Sequence, residues 1–138
     1  MNANRLTWAI LILWLGTLLP MHAQESAADR RRIDDIKARA DKGDAEAQIE
    51  LSALYTTGNG VPKDLVKAAK LHRKAAEQGN TDAQVRLGFA YKEGEGVPQD
   101  YAQAAIWLRK AAASGDEYAQ YELRKSAEFY GSPSWMAR

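Results

Sequence analysis

"GDAEAQIELSALYTTGNGVPKDLVKAAKLHRKAAEQ", Gly43 to Gln78, aligns without a gap on "GNTDAQVRLGFAYKEGEGVPQDYAQAAIWLRKAAAS", Gly79 to Ser114, with 16 of 36 positions identical. A third copy opens at Gly115 with "GDEYAQYEL" and diverges after Leu123. Self-similarity at a period of roughly 20 to 50 residues marks stacked supersecondary units, each burying its apolar face against its neighbours.

Each unit reads as two helices. Ala47, Leu51, Leu54 and Tyr55 recur at helical spacing, as do Ala83, Leu87, Ala90 and Tyr91 one copy later. A second stripe, Ala68, Leu71, Ala75 and Ala76, matches Ala104, Trp107, Ala111 and Ala112. Alanine lets helix axes approach closely while single large residues fill the gaps that remain. Gly43, Gly79 and Gly115 each precede Asp44, Asn80 or Asp116. Glycine suits the left-handed residue that ends one helix, and Asp or Asn accepts from the free N–H groups that begin the next.

"GNGVPKD", Gly58 to Asp64, has the glycine spacing of a phosphate-cradling loop. A Walker-type loop needs a lysine followed by a hydroxyl residue after its last glycine, and the dinucleotide fingerprint needs a third glycine and a preceding strand. Neither is present, and the same pattern returns as "GEGVPQD" at Gly94 to Asp100. The stretch therefore reads as a turn. Gly58 stops one helix, Gly60 takes a second positive φ, Val61 tucks under the loop, Pro62 blocks further helix and Asp64 caps the next one. Asp100 with Gln103 adds the spacing of a capping box.

Taken in order, Ala83, Leu87, Gly88, Tyr91, Gly94, Gly96, Val97, Asp100, Ala104, Trp107, Lys110, Ala111 and Ala112 resemble the Sel-one-like repeat, an α-solenoid relative of the tetratricopeptide repeat. The earlier copy departs at Ser52, where the family has glycine, and at Leu71, where it has tryptophan. The resemblance implies an all-α fold, a short right-handed α-solenoid of antiparallel helix pairs, with full repeats at 43–78 and 79–114. Residues 24–42 form an N-terminal capping helix on this reading, 115–130 a C-terminal capping helix, and 131–138 an irregular tail in which Trp135 folds back onto the last helix. Terminal repeats of such stacks are atypical and polar on their outer face.

Residues 1–23 differ in character. Asn4 and Arg5 lead into an uncharged apolar run from Leu6 to Leu19, broken by Pro20, with a cut offered after Ala23. That is the form of a secretory signal, and the run is shorter than the ~20 residues of a membrane-spanning helix. The expected location is secreted, in the periplasm of a Gram-negative bacterium. Removal of the segment takes one basic residue, Arg5, and leaves 18 Lys+Arg against 18 Asp+Glu. Closely alternating signs, as in "ADRRRIDDIKARADKGDAE", describe a solvated helix surface and argue against a nucleic-acid partner.

The search for chemistry ends without a catalytic group. With no cysteine in the chain, disulfides, thiolate zinc sites and thiol nucleophiles are excluded; family members with hydrolytic or penicillin-binding roles are rich in cysteine. His72 is the only histidine after Ala23 and stands where Leu108 stands in the next copy, which suggests an imidazole packed between helices. Ser52, Ser114 and Ser126 lack the settings of a serine nucleophile, and Glu93 and Glu95 sit beside a solvated turn. No cofactor and no metal is expected. What is left is surface, and positions that vary between copies are the ones free to specialise. Glu50, Arg86, Phe89 and Tyr121 are the candidates for a partner-binding groove on the concave face, Phe89 because its counterpart is the small Ala53. The expected function is a protein-interaction module with a protein or peptide partner. Two alternatives stand beside it, an envelope enzyme or accessory protein acting on peptidoglycan-related material, and a scaffold anchored in the inner membrane by an uncleaved signal.

Overall fold

The computed structural model describes residues 27–130, so the proposed signal segment and the tail with Trp135 lie outside the described residues. Among the described residues there are six helices and no strand. They are α1 (27–41), α2 (Ala45–Thr57), α3 (Leu65–Glu77), α4 (Thr81–Glu93), α5 (Tyr101–Ala113) and α6 (Glu117–Tyr130). The chain divides into two compact units, Met1–Asp35 and Ile36–Arg138, and the repeats belong to the second. There, α2 packs on α3, α3 on α4, α4 on α5 and α5 on α6, the nearest-neighbour arrangement of a solenoid.

The helix ends follow from the punctuation. Asp44 accepts from the N–H groups of Glu46 and Ala47, Asn80 from Ala83, Asp64 from Lys67, and Asp100 from Ala102 and Gln103. The capping box at Asp100 is half made, since its own N–H donates to the Tyr91 carbonyl at 2.8 Å. The corresponding Asp64 N–H donates to Tyr55, also at 2.8 Å, so each loop is stitched back to the helix it leaves. Gly58 and Gly94 close α2 and α4 in the left-handed conformation, at φ 77° and 75°. Val61 is buried beneath its loop.

A third stitch recurs with the period. Gln48, Gln84 and Gln120 each send a side-chain N–H to the carbonyl eight residues earlier, Ala40, Ala76 and Ala112, at 3.2 Å in all three cases. These carbonyls lie in the last turn of the preceding helix, beyond the reach of the regular helical ladder, and each accepts from the N–H of Gly43, Gly79 or Gly115 at 3.0 Å. The glutamine adds a second donor from the next helix, and so holds consecutive helices at a tight turn.

The core between repeats is built around Leu87, Tyr91 and Trp107 with Ala75, Ala76, Ala83 and Ala104. A second cluster joins Ile36, Ala40, Ala47 and Leu51, and a third joins Leu108, Ala111 and Ala119 with Phe89 and Leu123 against them. Fully burying one leucine-sized side chain stabilises by roughly 1.5–3 kcal/mol, so the few large residues carry much of the cohesion and the alanines set the spacing.

Candidate functional site

Between α2, α3 and α4 lies a cavity of about 280 Å³. Leu65, Ala68 and Ala69 of α3 and Ala90 of α4 make its apolar wall. Thr56 of α2, His72 of α3, Arg86 and Phe89 of α4, and Glu95 of the following loop supply its polar and aromatic part. Small side chains create this space. Four of the nine lining positions are alanine or threonine, and no residue larger than leucine comes from the first helix pair except His72.

His72 makes a contact that its position in the sequence did not announce. Its Nε2 lies 2.7 Å from the hydroxyl of Ser52, which is completely buried. The Ser52 hydroxyl donates its proton to the Ile49 carbonyl at 2.6 Å. It therefore accepts from the imidazole, and the Nε2 atom carries the ring proton. A serine nucleophile needs the opposite arrangement, a histidine that accepts from the hydroxyl, together with room for a substrate at the oxygen. Burial pushes His72 down to about 4, the nearby Arg86 charge adds to the effect, and Asp82 partly offsets it. The ring is thus neutral near pH 7, and the pair works as a polar link between α2 and α3.

The same positions one repeat on are Gly88 and Leu108. A Cβ placed on Gly88 would stand 2.8 Å from the Leu108 Cγ. Where the second repeat makes room for leucine by omitting a side chain, the first fills the space with a hydroxyl and a ring that hydrogen-bond. Glycine-to-serine and leucine-to-histidine are changes at equivalent positions, and that coincidence was the available signal. Read one at a time, as a departure from the family pattern and as a packed imidazole, the two residues gave no hint of a pair.

Of the groove residues expected from sequence, the structure brings Arg86 and Phe89 together on the cavity. Arg86 is paired with Asp82 one turn back on α4, Nε to Oδ2 2.8 Å, with both side chains more than half exposed. Phe89 has two roles at once, because it also stacks on Tyr118 of α6 at 5.4 Å between ring centroids and carries Lys92 over its face. Glu50 is on α2, 3.8 Å from an Arg39 nitrogen, and is not part of the cavity wall. Tyr121 is on α6, exposed, with Arg124 and Lys125 over its ring, and it too lies apart from the cavity. Glu95, read from sequence as a solvated turn residue, is exposed and at the cavity rim.

One interface further along, the equivalents of Thr56 and Arg86 are Lys92 and Glu122. Lys92 Nζ lies 2.9 Å from Glu122 Oε2, and the Glu122 side chain is only 7% exposed. The hydrogen bond that the Lys92 ammonium donates to Glu122 holds it above its usual range, against the effect of burial. This interface is bridged by an ion pair at the two positions that hold Thr56 and Arg86 in the earlier one. Among the described residues there is no group of three or more His, Cys, Asp or Glu able to hold a metal ion, and no helix long and apolar enough to cross a membrane.

The Sel1 repeat family model matches the chain twice, at residues 45–80 and 81–116. Among solved structures, a protective antigen of uropathogenic Escherichia coli with an SLR fold is 50% identical to this chain at a TM-score of 0.64, covering 66% of this chain and 20% of its own. A Sel1 repeat protein from Oxalobacter formigenes is 43% identical at a TM-score of 0.63, covering 65% of this chain and 26% of its own. The cysteine rich protein B of Helicobacter pylori is 27% identical at a TM-score of 0.63, covering 66% of this chain and 68% of its own. This chain thus spans about a fifth and a quarter of the first two. No curated protein matches it.

Proposed function

The chain belongs to the Sel1 repeat family, and we propose that it is a secreted, periplasmic protein-interaction module that receives a polypeptide partner in the cavity between α2, α3 and α4. Sel1 repeats generally serve contacts between proteins, and the relatives named above are bacterial. The observation that carries the reading is the cavity itself, lined by a charged side chain, Arg86, and an aromatic one, Phe89, where the next interface has an ion pair of its own. A half-buried aromatic beside arginine is a common composition for an anchor point. Secretion rests on the apolar run from Leu6 to Leu19.

Chemistry at the cavity speaks for binding over catalysis. The Ser52–His72 contact has its proton facing the wrong way and its oxygen inaccessible. Envelope-fraction capture tests the reading, using the chain from Gln24 onward against an Arg86→Ala/Phe89→Ala variant. The expected outcome is a partner held by the parent chain and lost by the variant at unchanged helical content. Retention of that partner by the variant would remove the cavity from the interface. Because Phe89 also packs on α6, Arg86→Ala is measured by itself as the variant least able to disturb the fold.

A further inference from the structure

We propose that the cavity between α2, α3 and α4 receives the carboxylate of an acidic side chain of the bound polypeptide, with Arg86 as its counter-charge. This rests on the interaction reading above and names the chemistry of the group that enters.

The argument comes from the molecule's own second interface. There the first helix of one repeat sends Lys92 across to Glu122 on the first helix of the next, and the two charges meet at 2.9 Å with the carboxylate buried. The equivalent positions of the first interface hold Thr56 and Arg86. The downstream charge has changed sign, and the upstream residue is too short to reach it. Thr56 has also turned its hydroxyl back onto the Ser52 carbonyl at 2.8 Å, so its proton is not offered to the cavity. What would complete the first interface on the pattern of the second is an anion lying over Thr56 and facing Arg86.

Three further observations agree. The cavity, at about 280 Å³, is just under the range of drug-sized pockets and suits a single side chain. Leu65, Ala68, Ala69 and Phe89 offer apolar surface for the methylene stem of glutamate. The Asp82 partner of Arg86 is exposed and on the same helix, and such a solvated pair is weak, so it yields readily to a partly desolvated carboxylate. Guanidinium and carboxylate also match in a two-pronged geometry that an amide cannot reproduce. Glu95 on the rim opposes an anion, and its effect is opposite in sign to that of Arg86.

The groups facing the His72 ring are Ser52 on its own repeat's first helix, and Arg86 and Asp82 on α4. An anion seated at Arg86 cancels part of the positive field at the ring, so occupancy raises the His72 pKa from its value of about 4. This provides a readout inside the cavity that does not depend on a natural partner.

The test is an NMR titration of the chain from Gln24 onward with end-capped peptides that carry one glutamate, one glutamine or one lysine in an alanine background. End-capping removes the terminal carboxylate, and a fourth peptide with a free C-terminus and no acidic side chain reports on that other source. The glutamate peptide is expected to shift the His72 ring and Arg86 Nε signals and to raise the His72 pKa. Glutamine in its place, or Arg86→Gln in the protein, should weaken binding about tenfold, while Glu95→Gln should tighten it. Equal binding of glutamate and glutamine peptides, an unchanged affinity in Arg86→Gln, preference for the lysine or free-terminus peptide, or no binding of the glutamate peptide at millimolar concentration would each overturn the assignment. A natural partner captured in an Arg86-dependent manner would still uphold the interaction reading, so the two fail separately.

Discussion

The two full repeats agree at 16 of 36 positions, yet their helix pairs are pinned by different chemistry. In the second, α4 and α5 meet at Gly88 and Leu108, and Trp107 fills the neighbouring space with its ring under Lys110 at 4.1 Å. In the first, α2 and α3 meet at Ser52 and His72, and Leu71 stands where the tryptophan would be. The second repeat is held by shape, the first by a hydrogen bond that only one ring tautomer can make. The difference propagates outward. A neutral imidazole, a threonine and three alanines line the cavity beside the first repeat, while Lys92 and Glu122 pair at the corresponding positions beside the second.

The glutamine stitches show the same divergence on a smaller scale. Gln48 has both ends of its amide occupied, because Gln78 donates to its Oε1 at 2.9 Å. At the position of Gln78 the next repeat has Ser114, whose hydroxyl returns to Lys110, and the buried Gln84 Oε1 has no partner. The first repeat thus satisfies polar groups and the second fills volume. That trade predicts which changes each will tolerate.

The largest effect is expected at the loop by which the second repeat leans on the first. Gly96 has φ 70°, and a Cβ there would stand 2.0 Å from the Leu65 carbonyl oxygen, backbone against backbone. Gly96→Ala therefore combines left-handed strain with a clash that no rotamer relieves, and should cost roughly 3 kcal/mol. Gly79→Ala is the control. Its φ is 90° but the space around it is open, so only the strain of about 1–2 kcal/mol is expected. Equal losses in chemical denaturation would show that the loop contact contributes nothing beyond backbone conformation.

A middle-sized effect is expected where the two pinning schemes are exchanged. Gly88→Ser puts an atom into the Leu108 side chain and should destabilise by roughly 1–3 kcal/mol through overpacking. Adding Leu108→His re-creates the Ser52–His72 pair in the second repeat and should recover about half of that loss, a coupling expected only of residues in contact. If the double variant were less stable than Gly88→Ser, the two schemes would not be interchangeable and the comparison between repeats would break.

How much of this could be read in advance depends on whether the cause was local. The helix pairs, the caps at Asp44, Asp64, Asn80 and Asp100, and the positive φ at Gly58 and Gly60 are set by residues within a turn of one another, and all were legible. Arg86 and Phe89 differ from their counterparts in the other copy, and both line the cavity. Glu50 and Tyr121 differ likewise but are not among its lining; Glu50 holds the position of Arg86 one repeat earlier, beside Arg39, so variation between copies marks a side of the helix and not which interface is hollow. The Ser52–His72 contact and the Lys92–Glu122 pair join residues 20 and 30 positions apart, and the cavity gathers residues from Thr56 to Glu95. Only a side-by-side reading of two equivalent positions at a time would have found them. The glutamine stitch recurs in the sequence as "AQ" at 47–48, 83–84 and 119–120, but a polar residue inside a helix has no local role to announce it.

The smallest effect, and the one that separates the two repeats most cleanly, is in their response to acid. His72 has its pKa lowered to about 4 in the folded chain, chiefly by burial, against an ordinary value of 6.5. A histidine displaced downward is favoured as the neutral form by folding, so its contribution is complete above pH 6.5. It is lost as the pH falls from there towards 4, because the unfolded chain takes up a proton that the folded one refuses. Discounted for the solvent that reaches the half-buried ring, the loss is roughly 1 kcal/mol over that window. Asp44 and Asp64 are also displaced downward, by the backbone N–H groups they cap, but they act around and below their ordinary value of 3.8 and leave the upper part of the window to His72. Ser52→Gly with His72→Leu gives the first repeat the pinning of the second and removes the only imidazole after Ala23. Denaturation at about pH 7 and about pH 4.5 should then show a drop in the parent chain and little or none in the variant. An equal drop in both would mean that the acid sensitivity lies in the carboxylates shared by the two repeats and not in the hydrogen bond that distinguishes them.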